Sequence, residues 1–144
     1  MYFVDFGHME NKKERQSTMD DIIGPSAYMH LLGMKIEEAA YPHARLSLSY
    51  DEKLTNPMGT LHGGVIASLI DAALGCALFQ DAKVRGIATL ELKVNYLKAV
   101  SGGKVFAEGE IIHRRGSMAF GQVRIYNDKD LAAMGSATYR LIFQ

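Results

Sequence analysis

The sequence predicts an α+β domain in which one long buried helix is wrapped by a curved antiparallel sheet. Three features predict it. Residues 65–79 read VIASLIDAALGCALF, apolar on nearly every side apart from Asp71, and a helix apolar all round must be buried on most sides. Four segments with strand-like alternation follow it. The last three are joined by short turns at Arg115-Gly116 and Asp128-Lys129-Asp130, the connection that antiparallel neighbours use. One helix and an antiparallel sheet bury their apolar faces most simply against each other.

The elements follow in chain order. Residues 1–20 are polar and charged, a lead expected to be flexible or loosely packed. Residues 21–144 are expected to form the single domain. Residues 26–32 read as a short helix, with Pro25 or Ser26 near its start and Gly33 just past its end. Residues 34–50 read as strand: Ala44, Leu46, Leu48 and Tyr50 alternate with Arg45, Ser47 and Ser49, and Pro42 marks a bulge or an edge. Residues 51–61 are loop, signalled by Asn56-Pro57 and Gly59. The main helix begins at His62 or Gly63 and runs to about Gln80, roughly 27 Å at the usual rise. Strands are expected over residues 86–100, 104–114, 117–127 and 131–143. In the first of these, Leu90, Leu92, Val94 and Tyr96 alternate with Glu91, Lys93 and Asn95.

Composition narrows the function. The chain has 144 residues, 48% apolar and 22% charged, with a formal net charge of zero. That is one soluble globular domain with a real core, and nothing pulls it toward nucleic acid or an anionic membrane. The one cysteine, Cys76, rules out an internal disulfide. Inside an apolar run it serves as a small buried hydrophobe, and its thiol there is a poor nucleophile. His8, His30, His43 and His113 lack the spacing of metal ligands, so no metal site is expected. The chain start lacks the features of a secretory signal. The apolar run is shorter than the ~20 residues of a membrane span. A reducing cytoplasm is the expected location. The eight methionines suit an adaptable core or a tunnel lining.

Chemistry concentrates at the helix start. A lone carboxylate on an apolar helix is costly unless paired, hydrogen-bonded or neutralised. Just before the run lies Asn56-Pro57-Met58-Gly59-Thr60-Leu61-His62-Gly63-Gly64. A Gly-Gly helix start leaves backbone N–H groups open to a ligand oxygen. Carboxylate and amides together are equipment for attack on an acyl carbonyl. Taken singly, Asp71 equally suits a structural buried acid, and Gly63-Gly64 a close-packed helix start. Gly63 and Asp71 are eight positions apart on one helix, so their backbones lie about 12 Å apart. A base works within ~3 Å of its target. Gly63 of one subunit is therefore expected to meet Asp71 of another across a two-fold dimer.

The element order, with Asn56-x-x-Gly59-x-x-His62-Gly63-Gly64 followed by Asp71, resembles the hotdog fold over residues 30–143. It is most similar to the PaaI-like (phenylacetic acid degradation) branch of acyl-CoA thioesterases. The resemblance implies hydrolysis of an acyl- or aryl-acyl-CoA to free acid and CoA without a cofactor. It makes Asp71 the general base or nucleophile and the Gly63 amide the group polarising the carbonyl. Asn56 would position substrate or water, His62 would organise the loop, and Thr89 would orient water. Some relatives carry a Ser or Thr four residues after the acid; here that position is Gly75, which leaves Thr89 as the candidate hydroxyl. Gly64 and the turn Arg114, Arg115, Gly116 and Ser117 would contact substrate, the turn meeting the nucleotide or pantetheine of CoA. The expected partner is acyl-CoA, with neither nucleic acid nor membrane, and the resemblance implies a homodimer with shared sites, paired into a homotetramer. The same fold also serves non-catalytic acyl-CoA-binding proteins and acyl-thioester hydratases or dehydratases. The latter resemble a His-plus-acid pair behind a Pro-rich loop, and the loop here has one proline. Tyr28, Leu32, Phe79, Tyr96 and Met118 are candidates for shaping the acyl pocket, which leaves aromatic, medium-chain and long-chain groups open.

Overall fold

The structure, a computed structural model, describes residues 26–143; the lead of residues 1–20 and Pro25 lie outside the described residues. Helix α1 (Ala27–Leu32) is bounded as its sequence implies. Ser26 accepts a hydrogen bond from the Met29 N–H, and Gly33 turns left-handed at φ 75° to end it. The segment expected as one strand is instead a hairpin, β1 (Lys35–Ala40) and β2 (His43–Ser49), reversing at the cis Tyr41–Pro42 bond. The reason is Pro42: it has no N–H to continue a ladder, and the apolar alternation restarts only at Ala44. A single 3₁₀ turn (Glu52–Leu54) interrupts the next loop. Then come α2 (Gly63–Leu78), β3 (Val84–Tyr96), β4 (Lys104–Arg115), β5 (Met118–Asn127) and β6 (Asp130–Phe143).

All strand neighbours are antiparallel, in the order β1-β2-β4-β5-β6-β3. The sheet thus has six strands rather than the five expected. β4, β5 and β6 form the predicted meander. β3 leaves it, pairing with β6 at the far edge, where its outer side has no neighbouring strand among the described residues. No helix there is long and apolar enough to cross a membrane.

The sheet curves around α2, which is buried from Leu69 to Leu78 except at Asp71. Two glycines let the helix lie low on the sheet. A Cβ on Gly121 would stand 2.6 Å from Leu74 Cδ2 and 3.0 Å from the Glu110 carbonyl oxygen. One on Gly135 would stand 2.6 Å from Ile70 Cδ1 and 2.9 Å from the Lys93 carbonyl oxygen. Ile70 and Leu74 are fully buried, so neither can swing aside. Gly135→Ala is therefore expected to cost about 1–3 kcal/mol by overpacking, read as a fall in the denaturation midpoint. Unchanged stability would show that α2 is not seated this tightly.

A register shift between Thr89 and Glu91 marks a bulge in β3. It takes Leu90 out of the expected apolar row: Leu90 is 55% exposed, whereas Leu92 and Val94 pack on the core. Cys76 is buried among apolar side chains, and burial pushes its thiol up to about 12.

Candidate active site

The loop before α2 is rigidly held, and Asn56 is its hub. Asn56 Oδ1 accepts from the N–H groups of Met58 at 2.9 Å and Thr60 at 3.2 Å, and its amide donates to Thr60 Oγ1 at 2.8 Å. Gly59 takes a left-handed φ of 76°, and its carbonyl accepts from the Tyr50 hydroxyl at 2.9 Å. The N–H groups of Leu61 and His62 donate to the carbonyls of Val100 and Leu54, both at 2.8 Å. The loop therefore delivers the helix start in one fixed orientation.

His62 is the N-cap of α2, its Nδ1 accepting from the Gly64 N–H at 3.3 Å. Gly64 is thus partly satisfied. The Gly63 N–H, the first of the helix, makes no hydrogen bond among the described residues. On its other side the Gly63 carbonyl accepts from the Tyr96 hydroxyl at 2.8 Å. A Cβ at Gly63 would lie 3.0 Å from that hydroxyl oxygen, so only glycine seats here without displacing Tyr96. One turn on, Ser68 donates to the Gly64 carbonyl at 2.8 Å and meets the Tyr28 hydroxyl of α1 at 2.8 Å.

Asp71 follows on the same open stripe of α2, which comprises Gly63, Gly64, Ala67, Ser68 and Asp71. Its Oδ1 accepts from Thr89 Oγ1 and from the Tyr139 hydroxyl, each at 2.8 Å. The Tyr139 hydroxyl also lies 3.1 Å from the Asp71 carbonyl oxygen. Oδ2 makes no hydrogen bond among the described residues. Sequence reasoning missed Tyr139. In the sequence it only shares the inward, apolar row of β6 with Ala137 and Leu141; its hydroxyl's contact with Asp71 is visible in the structure alone.

The hairpin between β4 and β5 makes no side-chain hydrogen bond to these groups among the described residues, although its base runs in register toward Tyr139 through Ala119. Arg114 pairs with Asp81 and sits over the rings of Tyr41 and Phe143, 6.0 Å and 5.4 Å from their centroids. The Lys83 N–H at 2.9 Å and the Arg114 guanidinium hold the Asp81 carboxyl below its ordinary range. Arg114 is thus engaged within the chain. Arg115 is exposed, and Gly116, at φ 57°, and Ser117 make the turn. Of the pocket candidates, Tyr28 and Tyr96 gather at the start of α2; Phe79 is at its far end and Met118 on the hairpin. The structure does not bring the five together within one chain. No cluster of metal-ligating residues occurs among the described residues.

Among the described residues, the Gly63 N–H has no hydrogen-bond partner and the Asp71 carboxylate is bonded through one oxygen. They sit eight positions apart on one unbroken helix, about 12 Å along its axis.

Comparisons with known proteins bear on the family and the fold. A family model described as the thioesterase superfamily matches residues 58–133. A medium/long-chain acyl-CoA thioesterase of Escherichia coli K12, YigI, is 26% identical over 125 residues, covering 75% of this chain and 81% of that protein. A conserved protein of Pseudomonas aeruginosa of solved structure is 28% identical, with a TM-score of 0.77 over 81% of this chain and 94% of that one. A point mutant of the phenylacetic acid degradation protein PaaI from Thermus thermophilus shares the fold at 22% identity, with a TM-score of 0.75 over 80% of this chain and 98% of that one.

Proposed function

The chain belongs to the thioesterase superfamily, with the hotdog fold of a thioester hydrolase, and from that premise we propose that it hydrolyses acyl- or aryl-acyl-CoA to free acid and CoA. The observation that carries the proposal is the presence on one helix of Asp71, anchored through Oδ1 alone among the described residues, and of a Gly63 N–H with no partner there. The similarity to an acyl-CoA thioesterase supports CoA as the carrier.

In this reading the thioester oxygen sits on the Gly63 N–H, which stabilises the charge that grows there. One such donor contributes about 10²–10³ in rate. Asp71 either takes a proton from water as hydroxide adds to the carbonyl carbon, or attacks that carbon itself to give an anhydride that water then opens. The C–S bond breaks and the CoA thiolate takes up a proton. Asn56 and His62 contribute by fixing the loop and capping the helix that present Gly63. Thr89 orients the carboxylate and water, Gly64 lines the substrate path, and the exposed Arg115 with Gly116 and Ser117 meets the CoA end. Arg114 supports that turn through Asp81.

The site is completed by a second copy. The 12 Å separation favours Gly63 and Asp71 coming from different subunits, and the edge of β3, which has no neighbouring strand among the described residues, is the surface such a copy would cover. An edge of thirteen residues left open invites pairing. Dimers paired into a tetramer are the proposed assembly, and the one buried thiol accords with a cytoplasmic location.

Thiol release from a panel of aromatic, medium-chain and long-chain acyl-CoAs tests this reading. Turnover on at least one class is the expected result. Acyl-CoA that binds without any thiol release would replace the enzyme with an acyl-CoA-binding protein.

A further inference from the structure

Resting on the reading of Asp71 as the reactive carboxylate, we propose that Tyr139 is a positioning residue that, with Thr89, dedicates one oxygen of Asp71 to anchoring and the other to chemistry. Thr89 and Tyr139 are register partners on the neighbouring strands β3 and β6. They therefore stand side by side on one face of the sheet, and both donate to Oδ1 of Asp71 at 2.8 Å. A carboxylate oxygen offers about two lone-pair sites, so two donors fill Oδ1. The Tyr139 hydroxyl also reaches the Asp71 main-chain oxygen at 3.1 Å, which ties the carboxylate's rotation to the helix backbone. That leaves Oδ2, which has no hydrogen-bond partner among the described residues, as the proton acceptor or the attacking atom.

The local architecture is shaped for this. The bulge in β3 falls immediately after Thr89, and bulges at sheet edges re-aim side chains beside active sites. Gly135 lets Ile70, next to Asp71, settle onto β6, bringing the carboxylate within reach of Tyr139. Tyr139 itself is 0% exposed, so it cannot touch substrate. Its effect has to pass through Asp71, and loss of its hydroxyl should change the rate of the bound complex rather than binding.

The test compares Tyr139→Phe with wild type in kcat, KM and thermal midpoint. We expect kcat to fall about tenfold or more from the loosened carboxylate, with KM within about twofold. Replacing Tyr139 by 4-aminophenylalanine, which restores a donor in the hydroxyl's place, is expected to recover most of kcat. In an Asp71→Asn background, Tyr139→Phe should lower kcat no further. A merely structural tyrosine would instead lower the midpoint and leave kcat per folded protein unchanged, and that result overturns the proposal. So does equal kcat for the phenylalanine and aminophenylalanine proteins. If the phenylalanine variant does not fold, 4-amino- and 4-fluorophenylalanine at position 139 make the same comparison without leaving a void. Wild-type turnover by Asp71→Asn would sink the underlying reading. An inactive Asp71→Asn beside a fully active Tyr139→Phe would sink only this inference.

Discussion

Asp71→Asn is expected to lower kcat/KM on the best acyl-CoA by about 10²–10⁴-fold while leaving the fold intact. The substitution removes charge and basicity but keeps shape. The asparagine side-chain oxygen can still accept from Thr89 and Tyr139, which hold Oδ1 in the native protein. Its NH₂ then takes the place of Oδ2, where it neither accepts a proton from water nor attacks a carbonyl. Thiol release by wild type and variant side by side, with thermal unfolding as the control for folding, checks this. A variant within about threefold of wild type would discard Asp71 as the reacting group, because no placed base or nucleophile contributes so little.

Mixed dimers should regain activity that neither parent shows. One parent is Asp71→Ala. The other is Gly63→Pro, chosen because the backbone there accepts proline. Gly63 is the first residue of α2, where proline is favoured, and His62 before it has φ −60° and ψ 137°, the extended backbone that a following proline demands. Proline therefore removes the N–H without straining the backbone, although Tyr96, whose hydroxyl would lie 3.0 Å from the new Cβ, must yield. Tyr96 is 56% exposed and has room to do so. Gly63→Ala is the matched control, making the same approach to Tyr96 while keeping the N–H. In a two-fold dimer with shared sites, a heterodimer has one complete site and one doubly defective site. Statistical mixing makes about half the dimers heterodimers, so about a quarter of wild-type activity should return. No recovery from two inactive parents, with heterodimers confirmed by mass, would mean that each chain works with its own Gly63 and Asp71.

The legible parts of this protein are those governed by local rules. Ser26 and Gly33 bracket α1 through capping chemistry, and α2 is marked by an apolar run that only burial explains. The hairpins follow from turn residues at Gly116 and Asp128. The split at Pro42 is hidden because apolar alternation on its far side masks the break, and the order of the strands is a long-range matter that no local pattern carries. The bulge at Thr89 is hidden for the same reason: Leu90 completes a period-two row in the sequence, and only pairing with β6 shows it to be the inserted residue. At the site, Asp71, His62 and Gly63 stand out because each breaks the pattern around it. Tyr139 does not, since a tyrosine in an apolar strand is ordinary until its hydroxyl is seen against the carboxylate.

Cys76 has a practical consequence at the bench. The assay that decides this protein's function measures a freed thiol, and the protein's own thiol is 4% exposed and pushed up to about 12. It will neither react with a colorimetric thiol reagent near neutral pH nor be blocked by one. The enzyme therefore adds no background to the reading, however much is used. The same silence frees the surface for labelling: a cysteine introduced at Met58, which is 82% exposed on the loop before α2, would be the one reactive thiol in the chain. A fluorophore there would sit on the loop that Asn56 holds, through the hydrogen bond from the Met58 N–H.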